Sequence, residues 1–227
     1  MPGAVGVIQA RMGSSRLPGK VLLPLAGAPM LQRLIERVTR ARSLDAVVVA
    51  TSVEPSDDAI MQLCQVLGVT CHRGSETDVF TRVLDAAARC TSDIVVRMTG
   101  DNPFLPPELI DEAVGEVRAG NADYCAALPE SGYPAGLTVE AMRYDALAAC
   151  AASDDPMVRE HVTWSLRHDE SIRRRTLRPG LSLGQAEFTI DTPADFARLA
   201  PIFERLYAKN PAFGLDALDL MARGQID

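Results

Sequence analysis

The run Ala4-Val5-Gly6-Val7-Ile8-Gln9-Ala10, followed without a break by Arg11-Met12-Gly13-Ser14-Ser15-Arg16-Leu17-Pro18-Gly19-Lys20, decides the fold class of this 227-residue chain. The first half is short and almost continuously apolar, which suits a strand buried on both faces. Three comparable runs follow, Ala46 to Ala50, Val69 to His72 and Asp93 to Met98. Around them, apolar residues recur at i, i+3, i+4 and i+7: Leu31, Leu34, Ile35, Val38; Ile60, Leu63, Cys64, Leu67; Phe80, Val83, Leu84, Ala87; and Ile110, Ala113, Val114, Val117. That spacing puts each set on one face of a helix. The resulting order, β-α-β-α-β-α-β-α, predicts a mainly parallel sheet with right-handed crossovers and helices on both faces, a three-layer α/β/α sandwich.

Boundary residues agree with this reading. Ser56-Asp57-Asp58 and Thr77-Asp78 stand where helix caps are needed, and Thr192-Pro193-Ala194-Asp195 combines a cap, a first-turn proline and an acid at the third position. Glu187 to Ile190, just before it, reads as a short strand. Residues 122–181 break the alternation, with Pro129, Gly132, Pro134 and Gly136 crowded together and Arg173-Arg174-Arg175 near the end. The expectation is one domain over 1–227 carrying an insertion at about 122–181, a β-ribbon with helices.

Composition narrows the function. Hydrophobic residues are 47% and charged residues 23% of the chain, and no apolar run reaches the roughly 20 residues of a membrane helix. The start, Met1-Pro2-Gly3-Ala4, has no basic segment ahead of its apolar run, so a cytoplasmic protein is expected. A net charge of −7 disfavours sequence-independent nucleic-acid binding, which needs several phosphates neutralised. Five cysteines, Cys64, Cys71, Cys90, Cys125 and Cys150, include no C-x-x-C and read as free thiols.

Ligands of open α/β sheets sit beyond the carboxyl ends of the strands, so the loops leaving those ends carry the chemistry. The Arg11–Lys20 loop offers three cations, two hydroxyls and two glycines in ten residues, a set suited to an anion. It is not a standard phosphate loop, because five residues separate Gly13 from Gly19 and Val21 replaces the Ser or Thr that would meet Mg²⁺. G-x-G-x-x-G is absent as well, which disfavours dinucleotide oxidoreductases. Of 23 basic residues only Lys20 and Lys209 are lysines, so a compact ammonium in this loop stands out. Asp101, flanked by Gly100 and Pro103 past a strand end, and Asp191, past the Glu187 run, are placed to present carboxylates over the sheet. Hard oxygen ligands of this kind suit Mg²⁺ completed by substrate phosphates and water.

These residues also carry a resemblance. Gln9-Ala10-Arg11-Met12-Gly13-Ser14-Ser15-Arg16-Leu17-Pro18-Gly19-Lys20 closely resembles the Q-A-R-x-x-S-x-R-L-P-G-K element of the cytidylyltransferases, the CMP-sugar synthetase family, and especially the branch of spore coat polysaccharide biosynthesis protein F. Arg97 to Pro103 is similar to the family's R-x-x-G-D-x-P element, and likeness continues through Gly136 to Glu140, Arg159 to Thr163 and Ile190 to Asp195.

The resemblance implies a nucleotide-diphospho-sugar transferase-like fold and transfer of CMP from CTP to an acidic sugar or similar small acid, releasing pyrophosphate, in cell-surface polysaccharide or glycoconjugate biosynthesis. It implies Mg²⁺ on Asp101 and Asp191, catalytic roles for Arg11, Lys20 and Asp101, and a homodimer. Nucleotide contacts are expected from Gln9, Ala10, Arg11, Gly13, Ser14, Arg16, Lys20, Arg73, Ser75, Asp78 and Arg97, and acceptor contacts from Glu140 and His161. Several of these have structural readings too: Asp78 as a helix cap, Arg82 nearby as a solvated helix charge, and His161 and Glu140 as structural residues. The arginine run 173–175 with Arg178 reads as a solvated face or an attraction for an anionic sugar. Two other functions fit parts of the pattern. A nucleotide-sugar glycosyltransferase would normally show Asp-x-Asp, which Asp101-Asn102-Pro103 lacks; a silent nucleotide-binding regulator would not need both metal acids.

Overall fold

Every apolar run named above forms the element its spacing predicts, except the one before Asp191. The computed structural model describes residues 3–180, 183 and 186–223. The chain opens with β1 (Ala4–Gln9), a small antiparallel hairpin of β2 (Pro24–Leu25) and β3 (Ala28–Pro29), and α1 (Met30–Val38). There follow β4 (Ala46–Ser52), α2 (Asp58–Leu67), β5 (Thr70–Gly74), α3 (Val79–Ala88), β6 (Ile94–Thr99) and α4 (Pro107–Arg118). The second half contains β7 (Tyr124–Ala127), β8 (Val139–Arg143), α5 (Tyr144–Ala149), α6 (Pro156–His161), α7 (Trp164–His168), β9 (Arg174–Thr176), α8 (Pro193–Lys209) and α9 (Leu215–Ala222).

The main sheet has the order β5-β4-β1-β6-β8-β7-β9, and only β8 runs against its neighbours. Alternation along each strand sorts the side chains into two cores. Ala4, Ile8, Val96 and Met98 pack against α1, α2, α4, α8 and α9, whereas Val5, Val7, Val48 and Val95 pack against α3, α5, α6 and α7. The 122–181 stretch is continuous with the sheet. Its expected ribbon, β7 with β8, joins the sheet through pairs such as Arg97 with Glu140. The basic run is spent locally, with Arg173 donating to Asp123, Arg174 to the carbonyls of Arg167 and Asp169, and Arg175 paired with Glu116.

Two expectations need correction. Asp57 precedes α2 but makes no cap hydrogen bond. Glu187 to Ile190 forms no strand; it is held by single backbone bonds, Phe188 N–H to the Ala135 carbonyl (2.7 Å) and Ile190 N–H to the Asp101 carbonyl (3.1 Å). The Thr192 cap is as expected, with Thr192 and Asp195 bonding each other's backbone N–H around Pro193. All five cysteines are free.

Strand order fixes where a ligand can sit. From β1 the chain moves to β4 and β5 on one side, then returns to β6 and the later strands on the other. Such a reversal opens a crevice beyond the carboxyl ends of β1 and β6.

Candidate active site

The loop after β1 folds around one carbonyl. The N–H groups of Ser14 (2.8 Å) and Gly19 (3.0 Å) both donate to the Met12 oxygen, and Gly19 takes a left-handed φ of 70° that a side chain would resist. A single 3₁₀ turn, Lys20–Leu22, follows at once and buries Lys20 to 8% exposure.

Asp57 is the residue that ties this loop down. Its carboxylate accepts from Met12 N–H (2.7 Å), Thr51 Oγ1 (3.0 Å), Ser52 N–H (3.0 Å) and Ser52 Oγ. Burial alone would raise the Asp57 carboxyl, but the Met12 and Ser52 donors outweigh it and hold the group below the ordinary carboxylate range. A lowered carboxyl stabilises the fold above its unfolded value of about 3.9, and that contribution fades only as pH falls from there through the folded value. No sequence window shows this long-range tether, because the acid sits beside a helix start where a cap is the ordinary reading. Asp57→Asn would set an amide N–H₂ among these donors. The expected cost is about 2–3 kcal/mol of stability, with a KM for nucleotide raised about tenfold, checked by thermal melts and steady-state kinetics.

Asp101 and Asp191 arrive from distant parts of the chain. Asp101 Oδ1 accepts from Thr99 Oγ1 (2.7 Å), which itself accepts from Asn102 Nδ2 (2.8 Å). Asp191 is delivered beside it by the Ile190 bond already described and by ring packing beneath: Phe104 and Phe188 have centroids 5.2 Å apart, each three residues from its acid. Gly136 permits this approach. At φ 93°, a Cβ there would lie 2.3 Å from the Phe188 carbonyl carbon. Gly136→Ala should therefore cost more than the roughly 1–3 kcal/mol of the backbone conformation alone, shown as a lower Tm and a loss of turnover as Asp191 is pushed away.

Lys20 joins the two acids. Its Nζ donates to Asp101 Oδ2 and to Asp191 Oδ1, both at 2.6 Å, and Arg16 donates to the other Asp191 oxygen at 2.8 Å. Both carboxylates thus converge on one ammonium nitrogen. No group of three or more His, Cys, Asp or Glu able to hold a metal occurs among the described residues. A two-carboxylate donor set fits Mg²⁺, which commonly takes one or two protein carboxylates and fills its shell with phosphate oxygens and water.

Around this point lies a cavity of about 430 Å³. Arg11, Arg16, Lys20, Arg82 and Arg97 face it against Asp101, Glu160 and Asp191, so it is positive inside a chain of net charge −7. Gln9, Ala10, Gly13, Ser14 and His161 complete the expected residues found on its wall. Ser14 Oγ accepts from Leu17 N–H (3.3 Å) and keeps its own O–H to donate.

Other expected residues lie elsewhere. Arg73 is committed to Asp58 and to the carbonyls of Ser52 and Glu54, Ser75 accepts from Asp78 N–H, and Asp78 caps α3 through Thr81 while pairing with Arg159. None of the three lines the cavity. Glu140, expected to meet the acceptor, is 2% exposed, enclosed by Arg97, Tyr124 and Thr163, and is not part of the cavity wall. Arg82 is the reverse case: it is 2% exposed, anchored to the Ser75 carbonyl, and its Nε has no partner among the described residues. Burial and the nearby Arg11 lower its pKa, the signature of a guanidinium short of counter-charge. Its place three residues after Val79, on the buried face of α3, was the available signal.

Comparison with known proteins decides the family, since the model described as Cytidylyltransferase matches residues 5–210. The chain belongs to the cytidylyltransferase family. It is a nucleotidyltransferase with the nucleotide-diphospho-sugar transferase fold. This cytidylyltransferase is 30% identical to spore coat polysaccharide biosynthesis protein SpsF of Bacillus subtilis, over 96% of its own length and 93% of that protein. It is 41% identical to the 3-deoxy-manno-octulosonate cytidylyltransferase of Zea mays over 55% of its length and 42% of that enzyme. A cytidylyltransferase structure from Leptospira borgpetersenii superposes with a TM-score of 0.88 at 27% identity, covering 99% of this chain and 95% of that one.

Proposed function

We propose that this cytidylyltransferase is Mg²⁺-dependent and transfers CMP from CTP to a small acidic acceptor, an acidic sugar or related hydroxy acid, for cell-surface polysaccharide or glycoconjugate assembly. The observation that carries the reading is the meeting of Lys20, Asp101 and Asp191 on the wall of a cationic cavity built on the Arg11–Lys20 loop.

In the reaction an acceptor hydroxyl oxygen bonds to the α-phosphorus of CTP, the bond from that phosphorus to the bridging oxygen breaks, and pyrophosphate and a proton are released. The demand is positioning and charge neutralisation more than covalent chemistry. Arg11 and Arg16 neutralise the triphosphate, while Ser14 and the amide of Gly13 complete its cradle. Lys20 has three ammonium protons, two of them given to Asp101 and Asp191, which leaves one for a phosphate oxygen of the leaving pyrophosphate. Asp101 and Asp191 would hold Mg²⁺, which when bound supplies positive charge to phosphate oxygens and lowers the pKa of the acceptor hydroxyl. No protein general base is then required.

The testing experiment incubates the protein with CTP, Mg²⁺ and a panel of sugar acids that includes 3-deoxy-manno-octulosonate, with products read by mass spectrometry. A CMP ester of one acid is the expected product. CTP recovered intact with every acid contradicts the reading.

A further inference from the structure

Glu140 is a charged group sealed inside the sheet, and the three donors around it belong to different walls of the molecule. On β8 it sits directly across from Arg97 of β6. Its Oε2 accepts from Arg97 Nη1, and its Oε1 accepts from Tyr124 O–H and Thr163 O–H, each at 2.6 Å. Burying a carboxylate is costly without such partners. A buried ion pair adds little stability over apolar side chains of the same volume, so its contribution is better sought in what it places.

Two cavity walls are placed by it. Arg97 is clamped from both sides, since its Nε donates to Gln9 Oε1 (3.0 Å) and its Nη1 to Glu140, while Nη2 has no protein acceptor among the described residues. Arg97 lines the cavity on the β6 side. His161 lines it from the end of α6, and the chain leaves His161 through Val162 at φ 34°, a conformation that a β-branched residue rarely adopts. Thr163, next in the chain, is bonded to Glu140 and so holds that strained turn in place.

Arg97 reaches the cavity from β6 and His161 from the end of α6, elements other than the first loop, and a guanidinium fork matches a carboxylate in two parallel hydrogen bonds. We propose that Glu140 is a positioning residue that fixes Arg97 and the His161 turn as the acceptor end of the cavity, with Arg97 as the group that reads the acceptor's carboxylate. This assigns Arg97 to the acceptor instead of the nucleotide expected from sequence, and it rests on the CMP-transfer reading above.

The test compares wild type with Glu140→Gln and Arg97→Lys. Pyrophosphate release at saturating CTP gives kcat and KM for the sugar acid turned over fastest by wild type in the panel above, and calorimetry gives the Kd for CTP. Both variants should raise the acceptor KM about tenfold or more while the Kd for CTP stays within about twofold. Equal losses for both ligands, or an unmoved acceptor KM, overturn the inference. If Glu140→Gln fails to give a cooperative melt, Thr163→Val carries the same test, because it removes one donor and leaves the ion pair in place. Wild-type protein that releases no pyrophosphate with any acid takes down the CMP-transfer reading and this inference together; wild-type turnover with an unmoved acceptor KM takes down this inference alone.

Discussion

Asp101→Asn is expected to lower kcat at least about a hundredfold while leaving the fold intact, a loss of roughly 2.7 kcal/mol in the transition state. The carboxylate sits on a loop beyond β6, partly exposed, with Thr99 Oγ1 on one oxygen and Lys20 on the other. An amide keeps the size and one acceptor, so Thr99 can remain bonded. It loses the charge that would hold a divalent cation, and its N–H₂ would meet the Lys20 ammonium donor to donor. Binding of CTP should fall less than turnover, because Arg11, Arg16 and Lys20 remain. Kinetics paired with a thermal melt decide the matter: near-normal kcat, or a collapse of Tm that accounts for the lost activity, would remove Asp101 from the role given to it.

Lys20→Met should be comparably severe for turnover, and its effect on stability should depend on Mg²⁺. Methionine fills much of the enclosed volume that the lysine stem occupies. It leaves Asp101 and Asp191 facing each other without their shared ammonium, and stripping one partner from a mostly buried ionic group is destabilising. In chelator the Tm should therefore drop by several degrees; Mg²⁺ in millimolar amounts should recover much of the drop, because the cation takes over the charge between the acids. Activity should stay at least about a hundredfold down even then, since the donor to the leaving pyrophosphate is gone. Melts in chelator and in Mg²⁺, run beside pyrophosphate release, check both parts. A Tm loss indifferent to Mg²⁺, with turnover recovering whenever the protein is folded, would make Lys20 a structural residue.

The parallel half of the sheet was legible because its signals are local. Apolar runs and 3.6-residue spacing survive into β1, β4, β5, β6 and the helices between them, since each element buries its own pattern. The β7–β8 ribbon was harder to place: whether a ribbon stands apart or joins a sheet depends on a partner strand far along the chain, here β6. Glu187 to Ile190 has the composition of a strand but no neighbour to pair with, so tertiary packing on Phe104 and Gly136 sets its path.

The site divides in the same way. Arg11, Arg16, Lys20 and Asp101 lie on loops next to strand ends, where the chemistry of a short segment shows on its face, and all four line the cavity. Asp57, Arg82 and Glu140 are defined by what surrounds them in three dimensions. An acid before a helix looks like a cap, a charge on a helix looks solvated, and an acid in a segment that resembles the family's acceptor element looks like a site residue. Burial and distant donors, which no sequence window contains, changed all three readings.

The central claim is tested most directly by pyrophosphate release measured with each of the four ribonucleoside triphosphates in turn, with and without Mg²⁺, against the sugar-acid panel. Release with CTP, dependent on both Mg²⁺ and one acid, is the predicted result. Release with another nucleotide in preference to CTP, or none with any pairing of nucleotide and acid, would contradict it.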